Sequence, residues 1–172
     1  MKTNLLSLFL VSFLSINSAW AESKIAIPDF ELLDLTMKLS DPQKVAEINA
    51  QEQQNLRDIE TFLKKGLENK QGFIVVPVSD EARQTADKGT GLLFDCATCS
   101  AELGRQHNAD YIIIGRLHKP TYLFSYLIVR IFDSNENKLV KEFRSEVKGD
   151  PRVSIPGAVA NLINKISKTL PH

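Results

Sequence analysis

Residues 109–148 constrain the fold more than any other part of the sequence, because they contain three strand-like segments in succession. Residues 109–115 form an apolar run typical of a buried strand. Residues 122–132 carry apolar side chains on both faces of a strand, whereas residues 138–148 alternate between apolar and polar. A turn is predicted at 133–137, where Asp, Ser and Asn cluster. Connected strands of this kind pair antiparallel, so the sequence predicts a meander with one exposed side.

Helical patterns and two further strands surround this meander. Apolar residues within 42–69 recur at spacings of three, four and seven, which predicts a long amphipathic helix. The run 73–77 is short and β-branched, as in a buried strand, and residues 24–30 predict an opening core strand. The remaining predicted elements are a short helix that Ser79 caps, a second short helix over residues 95–108, and a final helix that starts at residues 154–156.

The order of these elements, β-α-β-α-α-β-β-β-α, predicts the fold class. It is typical of an α/β protein, in the mixed α+β sense, with one mixed sheet of about five strands and helices packed on the sheet. Strands on either side of a helix are expected to be parallel by crossover. Asp29, Glu31, Asp34 and Asp41 are expected to form a solvated acidic loop, since they lack the spacing and the fixed glycine of a calcium loop.

The first twenty-one residues have the three parts of a secretory signal peptide. Lys2 supplies the positive charge, residues 5–14 are apolar, and Ala19 and Ala21 are the small residues that signal peptidase needs. The apolar run is too short for a membrane span, which needs about 20 residues. Cleavage is expected after Ala21, where no cysteine is present to accept a lipid. We expect residues 22–172 to form a single soluble periplasmic domain without membrane insertion.

The charge of the chain argues against nucleic acid as a partner. Lys and Arg number 21, Asp and Glu number 21, and loss of Lys2 with the signal leaves a slight acidic excess. The two signs alternate along the chain, whereas a polyanion-binding protein concentrates basic residues on one face. No nucleic-acid-binding function is therefore expected.

Cys96 and Cys99 are the two cysteines of the chain, in Cys-x-x-Cys spacing at a predicted helix start. In an oxidising compartment a disulfide is the default state of such a pair. A redox-active pair is one alternative, because a helix N-terminus stabilises a thiolate, although the charge of Asp95 opposes it. A zinc site is another, with His107 or His118 as further ligands. Covalent haem attachment is excluded, because serine rather than histidine follows the second cysteine.

The strand predicted over residues 122–132 carries an aromatic stripe. Tyr122, Phe124 and Tyr126 share one face, which either packs beneath a helix or, if uncovered, forms an interaction surface. A Gly-x-Ser-x-Gly elbow and a phosphate-binding loop are missing from the sequence, and scattered carboxylates define no acid/base pair. No catalytic residue, cofactor or metal is therefore expected.

The opening Ile-Ala-Ile-Pro-Asp-Phe segment at 25–30 and the Ala-Asp-Tyr-(apolar)3-Gly strand at 109–115 carry a distant resemblance. Together with the strand, turn and strand that follow, they resemble periplasmic α/β domains of the type found in the Tol-Pal translocation protein N-terminal domain and the curli secretion lipoprotein. The resemblance covers most of residues 24–148. It implies a fold and transfers no activity.

A closer resemblance rests on residues 95–99, on the Gly-Arg-Leu-His-Lys segment at 115–119, and on Gly149 with the final helix. In these features the chain resembles a small family of exported proteins of unknown function found near quinoprotein (PQQ-type) dehydrogenase genes. The resemblance implies an exported location and an accessory task for a periplasmic dehydrogenase. It supplies no catalytic residue.

The sequence therefore favours a non-catalytic periplasmic accessory or protein-interaction domain that serves an exported dehydrogenase or an envelope complex. The alternative is a thiol-disulfide or electron-transfer helper that uses Cys96 and Cys99. The expected partner is another periplasmic protein, and self-association is compatible with the sequence.

Overall fold

The computed structural model describes residues 22–36, 41–82, 84, 92–121 and 123–171. The predicted signal peptide, residues 1–21, and the aromatic residue Tyr122 lie outside the described residues. The strands are β1 (Ser23–Ala26), β2 (Glu31–Asp34), β3 (Phe73–Val76), β4 (Tyr111–Lys119), β5 (Phe124–Asp133) and β6 (Lys138–Lys148). The helices are α1 (Pro42–Glu68), α2 (Leu92–Asp95), α3 (Ala97–Gln106) and α4 (Pro151–Ser167).

One mixed sheet contains all six of these strands. Its order is β3-β1-β4-β5-β6, and β2 pairs with the second half of β4 on the side that β1 occupies in the first half. The strands joined through helices are parallel, and β4, β5 and β6 form the antiparallel meander. The predicted fold class, a mixed α/β sheet with helices packed on it, is confirmed.

The turn between β5 and β6 forms where the sequence predicts it. Asp133 Oδ1 accepts hydrogen bonds of 2.8 Å from the backbone N–H groups of both Asn135 and Glu136. Asn137 then takes a left-handed conformation with φ 56°, which asparagine tolerates better than most residues. The hairpin is therefore specified locally by turn chemistry.

The acidic loop predicted around Glu31 and Asp34 is wrong, because these residues belong to strand β2. β2 runs parallel to β4, with Glu31 beside Arg116 and Asp34 beside Lys119. Each carboxylate is paired with the cation next to it in register, at 2.8 Å for the first pair and 3.2 Å for the second. Basic partners distant in sequence thus convert an apparent loop into a strand.

The chain between β1 and β2 bends tightly over the sheet. Phe30 N–H donates a 2.7 Å hydrogen bond to Glu60 Oε1 on α1, which fixes this bend against the helix. The Phe30 ring lies against Gly115 of β4, where a Cβ atom would come within 2.0 Å of the ring. A residue without a side chain at 115 is what lets the ring pack onto the sheet.

Two apolar clusters cover opposite faces of the sheet. The first joins α1 and α4 to the sheet and is represented by Leu63, Ile113, Leu127, Ile131 and Leu162. The second joins α2 and α3 to the other face and contains Phe94, Leu103, Ile112, Ile114 and Ile128. The side chains of β4 and β5 alternate between the two clusters, as strand geometry requires.

Two helix boundaries differ from the predictions. The final helix begins at Pro151, because Asp150 caps it by accepting a 3.0 Å hydrogen bond from Arg152 N–H and proline suits the first helical position. The helix predicted over residues 95–108 is interrupted at Cys96, which itself caps α3. In both cases a capping side chain sets the boundary.

Candidate functional site

Four strands place side chains in one row across the sheet. Leu33 of β2 lies beside His118 of β4, which lies beside Tyr126 of β5, which in turn lies beside Glu146 of β6. Directly opposed residues point to the same face of a sheet, as do residues two apart along a strand. We call this surface the open sheet face and define it as Leu33, His118, Phe124, Tyr126, Arg144 and Glu146.

The cover that α2 and α3 provide ends at the edge of this face. Ile128 is still buried beneath the second cluster, and Tyr126 is half-buried against it. In the row of Tyr126 itself, Leu33 is 36 % exposed and Glu146 is exposed, and Arg144, in the row of Ile128, is exposed as well. The ends of these two rows are therefore accessible to another molecule.

The open sheet face combines aromatic rings with a guanidinium group. The rings of Phe124 and Tyr126 meet edge to face at 74°, with centroids 5.4 Å apart. Arg144 lies over the Tyr126 ring, 4.8 Å from its centroid. Aromatic and arginine side chains are enriched in protein–protein interfaces, where they supply most of the binding energy. The residue types of this surface are therefore those that are common in protein–protein interfaces.

Two polar atoms at this face have no hydrogen-bond partner among the described residues. One is Nε2 of His118 and the other is Oε1 of Glu31, which lies one row away on the same face; both atoms are shielded from water. An unpaired buried polar atom costs about 1–3 kcal/mol. Such atoms gain stability when a water molecule or a binding partner satisfies them.

A charged cluster anchors α2 at the border of the open sheet face. The guanidinium groups of Arg116 and Arg130 lie on the Phe94 ring, 3.9 and 4.2 Å from its centroid. Both also bind the Asp95 carboxylate, at 3.3 and 2.7 Å, and Arg130 reaches Glu142 of β6 at 2.8 Å. The cluster holds the start of the cysteine-bearing helix in a fixed position on the sheet.

The two cysteines lie next to this cluster. Their sulfur atoms are 1.99 Å apart, at bonding distance, and Cys96 Sγ accepts a 3.2 Å hydrogen bond from Cys99 N–H as the cap of α3. Asp95, whose charge was expected to oppose a thiolate, is paired with Arg116 and Arg130, but these two arginines also bind Glu31 and Glu142. The position therefore combines a helix N-terminus with a carboxylate whose charge is only partly compensated.

His107 is fully engaged within the fold. Its Nε2 accepts a 3.0 Å hydrogen bond from Ser79 N–H, and its Nδ1 lies 2.9 Å from Leu103 O. His118, the other candidate zinc ligand of the sequence, points from β4 onto the open sheet face. Over the ranges that the structure describes, no three His, Cys, Asp or Glu side chains are grouped to hold a metal ion.

The acidic residues of the predicted loop do not come together as a calcium site either. Asp34 lies on the face opposite Glu31, where the Lys119 ammonium binds both Asp34, at 3.2 Å, and Glu52, at 2.6 Å. Asp41 caps α1 by accepting a 3.0 Å hydrogen bond from Gln43 N–H.

None of the described helices is long and apolar enough to cross a membrane.

The aromatic stripe of the sequence predicts only part of the open sheet face. The stripe predicts Phe124 and Tyr126 on this face, whereas His118 is predicted only as a candidate zinc ligand, and no prediction covers Leu33 or Arg144. The alternation of residues 138–148 is the signal that could have found Arg144, since it leaves one side of β6 polar and exposed. Leu33 carries no such signal, because its strand was not predicted.

Solved structures with a similar chain path have low sequence identity to this chain. Escherichia coli LpoB, solved by NMR, matches with a TM-score of 0.50 at 11 % identity, over 77 % of this chain and 60 % of that one. A PelC dodecamer from Paraburkholderia phytofirmans gives 0.46 and 12 %, over 88 % and 90 %. TolB from Acinetobacter baumannii gives 0.48 and 12 %, over 88 % of this chain and 29 % of that one. The likeness to LpoB shows the fold alone.

Sequence comparison places the chain in a family. A search of curated proteins gives no match. A family model described as "Protein of unknown function (DUF2380)" matches residues 23–166, which include every strand and nearly all of α4. The protein is thus similar to its relatives over the whole sheet and over both helical layers. The chain belongs to the DUF3280 family of proteins of unknown function.

Proposed function

We propose that this protein is an exported, non-catalytic accessory domain that binds another protein in the periplasm through the open sheet face. The partner is a component of an envelope complex, and an exported dehydrogenase is the form of complex that the sequence resemblance favours. Export rests on the signal-like segment at 1–21, with its charge, apolar run and small residues.

The observation that supports the proposal most is the incomplete cover of the sheet. A guanidinium group stacked on Tyr126, an aromatic neighbour at Phe124 and a half-exposed Leu33 lie together where the helical layer ends. A protein surface that docks here can cover the apolar side chains and pair with the exposed charges of Arg144 and Glu146 at the same time.

The use of charged groups within the fold supports a non-catalytic role. Lys119 is shared by Asp34 and Glu52, and Arg130 is shared by Asp95 and Glu142. A general acid or base needs a free position where substrate can approach within hydrogen-bond reach. These groups are held in ion pairs that fasten helices to the sheet.

Two substitutions on the open sheet face test the proposal. Leu33→Ser and Phe124→Ser are expected to weaken binding to the partner captured from periplasm by at least about tenfold each, since contact with apolar anchors is lost. Phe62→Ser is the control, because Phe62 is similarly exposed, at 42 %, but lies on α1 across the sheet. Equal binding by all three variants, measured by surface plasmon resonance with the purified partner, would contradict the proposal.

The dehydrogenase part of the proposal has its own test. Deletion of the gene is expected to lower the activity of an exported dehydrogenase in periplasmic extracts and to leave the amount of enzyme protein unchanged. Unaltered activity of every such dehydrogenase would restrict the proposal to other envelope complexes.

Thiol-disulfide exchange is the second candidate function. Cys96 caps α3, so a thiolate there would gain from the helix N-terminus, and two arginines partly compensate the charge of Asp95. A groove of about 410 Å³ runs beside the disulfide, lined by Ala82, Leu93, Cys99, Glu102 and Leu103. Its mixed apolar and polar lining suits a peptide segment.

Replacing both cysteines by serine separates the two functions. Closing so short a loop by a disulfide is worth about 2 kcal/mol, so the Cys96→Ser, Cys99→Ser variant is expected to unfold at correspondingly lower urea concentration. Serine at 96 keeps an oxygen acceptor for the cap of α3. Full partner binding by this variant supports the accessory role, whereas loss of function with the fold intact supports thiol chemistry.

A further inference from the structure

Strand β6 is the terminal strand of the sheet, and its outer edge pairs with no other strand among those described. From residue 141 to residue 148 it pairs with β5 without interruption, and the one register shift lies beyond this stretch. Residues 141–148 contain no proline. This edge has the length and regularity that a further strand needs to add to a sheet.

The charges on the exposed side of β6 are arranged in an unusual order around Ser145. Arg144 precedes it and Glu146 follows, while Glu142 and Lys148 lie one step further out; all four are exposed. Arg144 and Glu142 therefore each have a residue of opposite charge at the same distance after Ser145. The positions two before and two after Ser145, which lie on the other face of the strand, are both apolar.

We infer that the β6 edge binds a second copy of this chain, with the two β6 strands antiparallel and centred on Ser145. In this register Arg144 lies opposite the second copy's Glu146, and Glu142 lies opposite the second copy's Lys148. The two-fold symmetry repeats both contacts, as an isologous interface requires. Opposite charges directly across an antiparallel pair are favourable, and like charges are unfavourable.

Some contacts within the chain compete with this pairing. Lys165 of α4 donates a long hydrogen bond, 3.4 Å, to Arg144 O, and the Lys148 ammonium binds Glu146 at 2.6 Å. Arg130 also holds Glu142 at 2.8 Å. Glu142, Glu146 and Lys148 are exposed, and ion pairs between exposed side chains are weak and easily exchanged. The dimer is therefore expected to be reversible and sensitive to salt.

Charge reversal tests the register, because this pairing predicts that two variants that each dimerise weakly form a dimer when they are mixed. Arg144→Glu alone places two glutamates opposite each other, and Glu146→Arg alone places two arginines opposite each other. Each single variant is expected to dimerise at least about tenfold more weakly than the natural chain. Mixing the two single variants, or combining both changes in one chain, restores opposite charges and is expected to restore the dimer.

The measurement is sedimentation velocity on the chain recovered from periplasm, with Lys141→Glu as an exposed β6 control whose counterpart in the pairing is Gly149. Dimerisation that the mixture restores, and that the control leaves unchanged, supports the inference. A natural chain that stays monomeric up to about 1 mM, or a mixture that does not restore dimers, overturns it. The experiment contains no partner protein, so its outcome is independent of the proposed function.

Discussion

Replacing Gly115 with alanine is expected to lower the free energy of unfolding by about 3 kcal/mol, or the melting temperature by about 10 °C. The added Cβ would lie 2.0 Å from the ring of Phe30, which is only 5 % exposed and is held in place by the bend beside it. The ring is buried in the first apolar cluster, so it moves aside only at the expense of that packing, and the 2.7 Å hydrogen bond from Phe30 N–H to Glu60 keeps the backbone from shifting with it.

A matched glycine shows whether the effect comes from this contact. Gly157 lies exposed on α4 with nothing within 4 Å of its built Cβ, so Gly157→Ala is expected to raise stability by about 0.5–1 kcal/mol. Phe30→Leu combined with Gly115→Ala should cost less than the sum of the single changes. Gly115→Ala with unchanged urea unfolding would show that the bend is not packed as described.

Replacing Lys119 with methionine is expected to cost about 3 kcal/mol at pH 7. The ammonium group holds two carboxylates, Asp34 at 3.2 Å and Glu52 at 2.6 Å, whose side chains are only 6 % and 13 % exposed. Without the cation they repel each other in a setting that water reaches poorly. Lys141→Met, an exposed lysine on β6, is the control and is expected to change stability by less than about 0.5 kcal/mol.

The pH dependence gives this prediction a second readout. Burial acts to raise the pKa of Asp34, but hydrogen bonds from Thr36 and Lys119 outweigh it, and the pKa lies below its ordinary 3.8. The stabilisation from this carboxylate is therefore present above about pH 3.8 and is lost as the pH falls through the lowered pKa. Lys119→Met removes one of the interactions that lower the pKa of Asp34, so burial has more effect and the carboxylate takes up a proton at higher pH. The difference in stability between the variant and the natural chain should therefore narrow between pH 7 and pH 4. A gap that widens over this range would show that Lys119 does not stabilise the charged form of these carboxylates.

The parts of the fold that the sequence predicts are those with local causes. The meander follows from the apolar faces of β5, from the alternation along β6 and from the turn that Asp133 organises. The long helix follows from apolar spacing, and the structure places it at Pro42–Glu68, within a residue of the predicted range. In each case the determining residues are neighbours in sequence, and pattern alone is sufficient.

The parts that the sequence does not predict depend on partners far along the chain. β2 becomes a strand because Arg116 and Lys119 bind its carboxylates, and these partners lie about 85 residues away. Two guanidinium groups from different strands lie on the Phe94 ring, and no residue spacing in the sequence predicts this contact. Register between distant strands decides such contacts, and a single sequence contains no direct signal for register.

The candidate site falls between these cases. The stripe of Phe124 and Tyr126 is visible in the sequence, but whether a helix covers it depends on where α2 and α3 end. Cys96 interrupts the predicted helix, and the Asp95 ion pairs hold α2 beside Arg116. Both effects place the helical cover at the border of the stripe, which leaves Leu33, Arg144 and Glu146 exposed.

Photo-cross-linking in living cells tests the open sheet face most directly. A benzophenone side chain is introduced at Leu33 or Tyr126 on this face, and at Phe62 or Val153 as exposed controls on α1 and α4. The first two positions are expected to form a covalent adduct with the same periplasmic protein, and the control positions are expected to form none. Adducts formed equally from the control positions, or none from Leu33 and Tyr126, would contradict the claim that this face binds a partner.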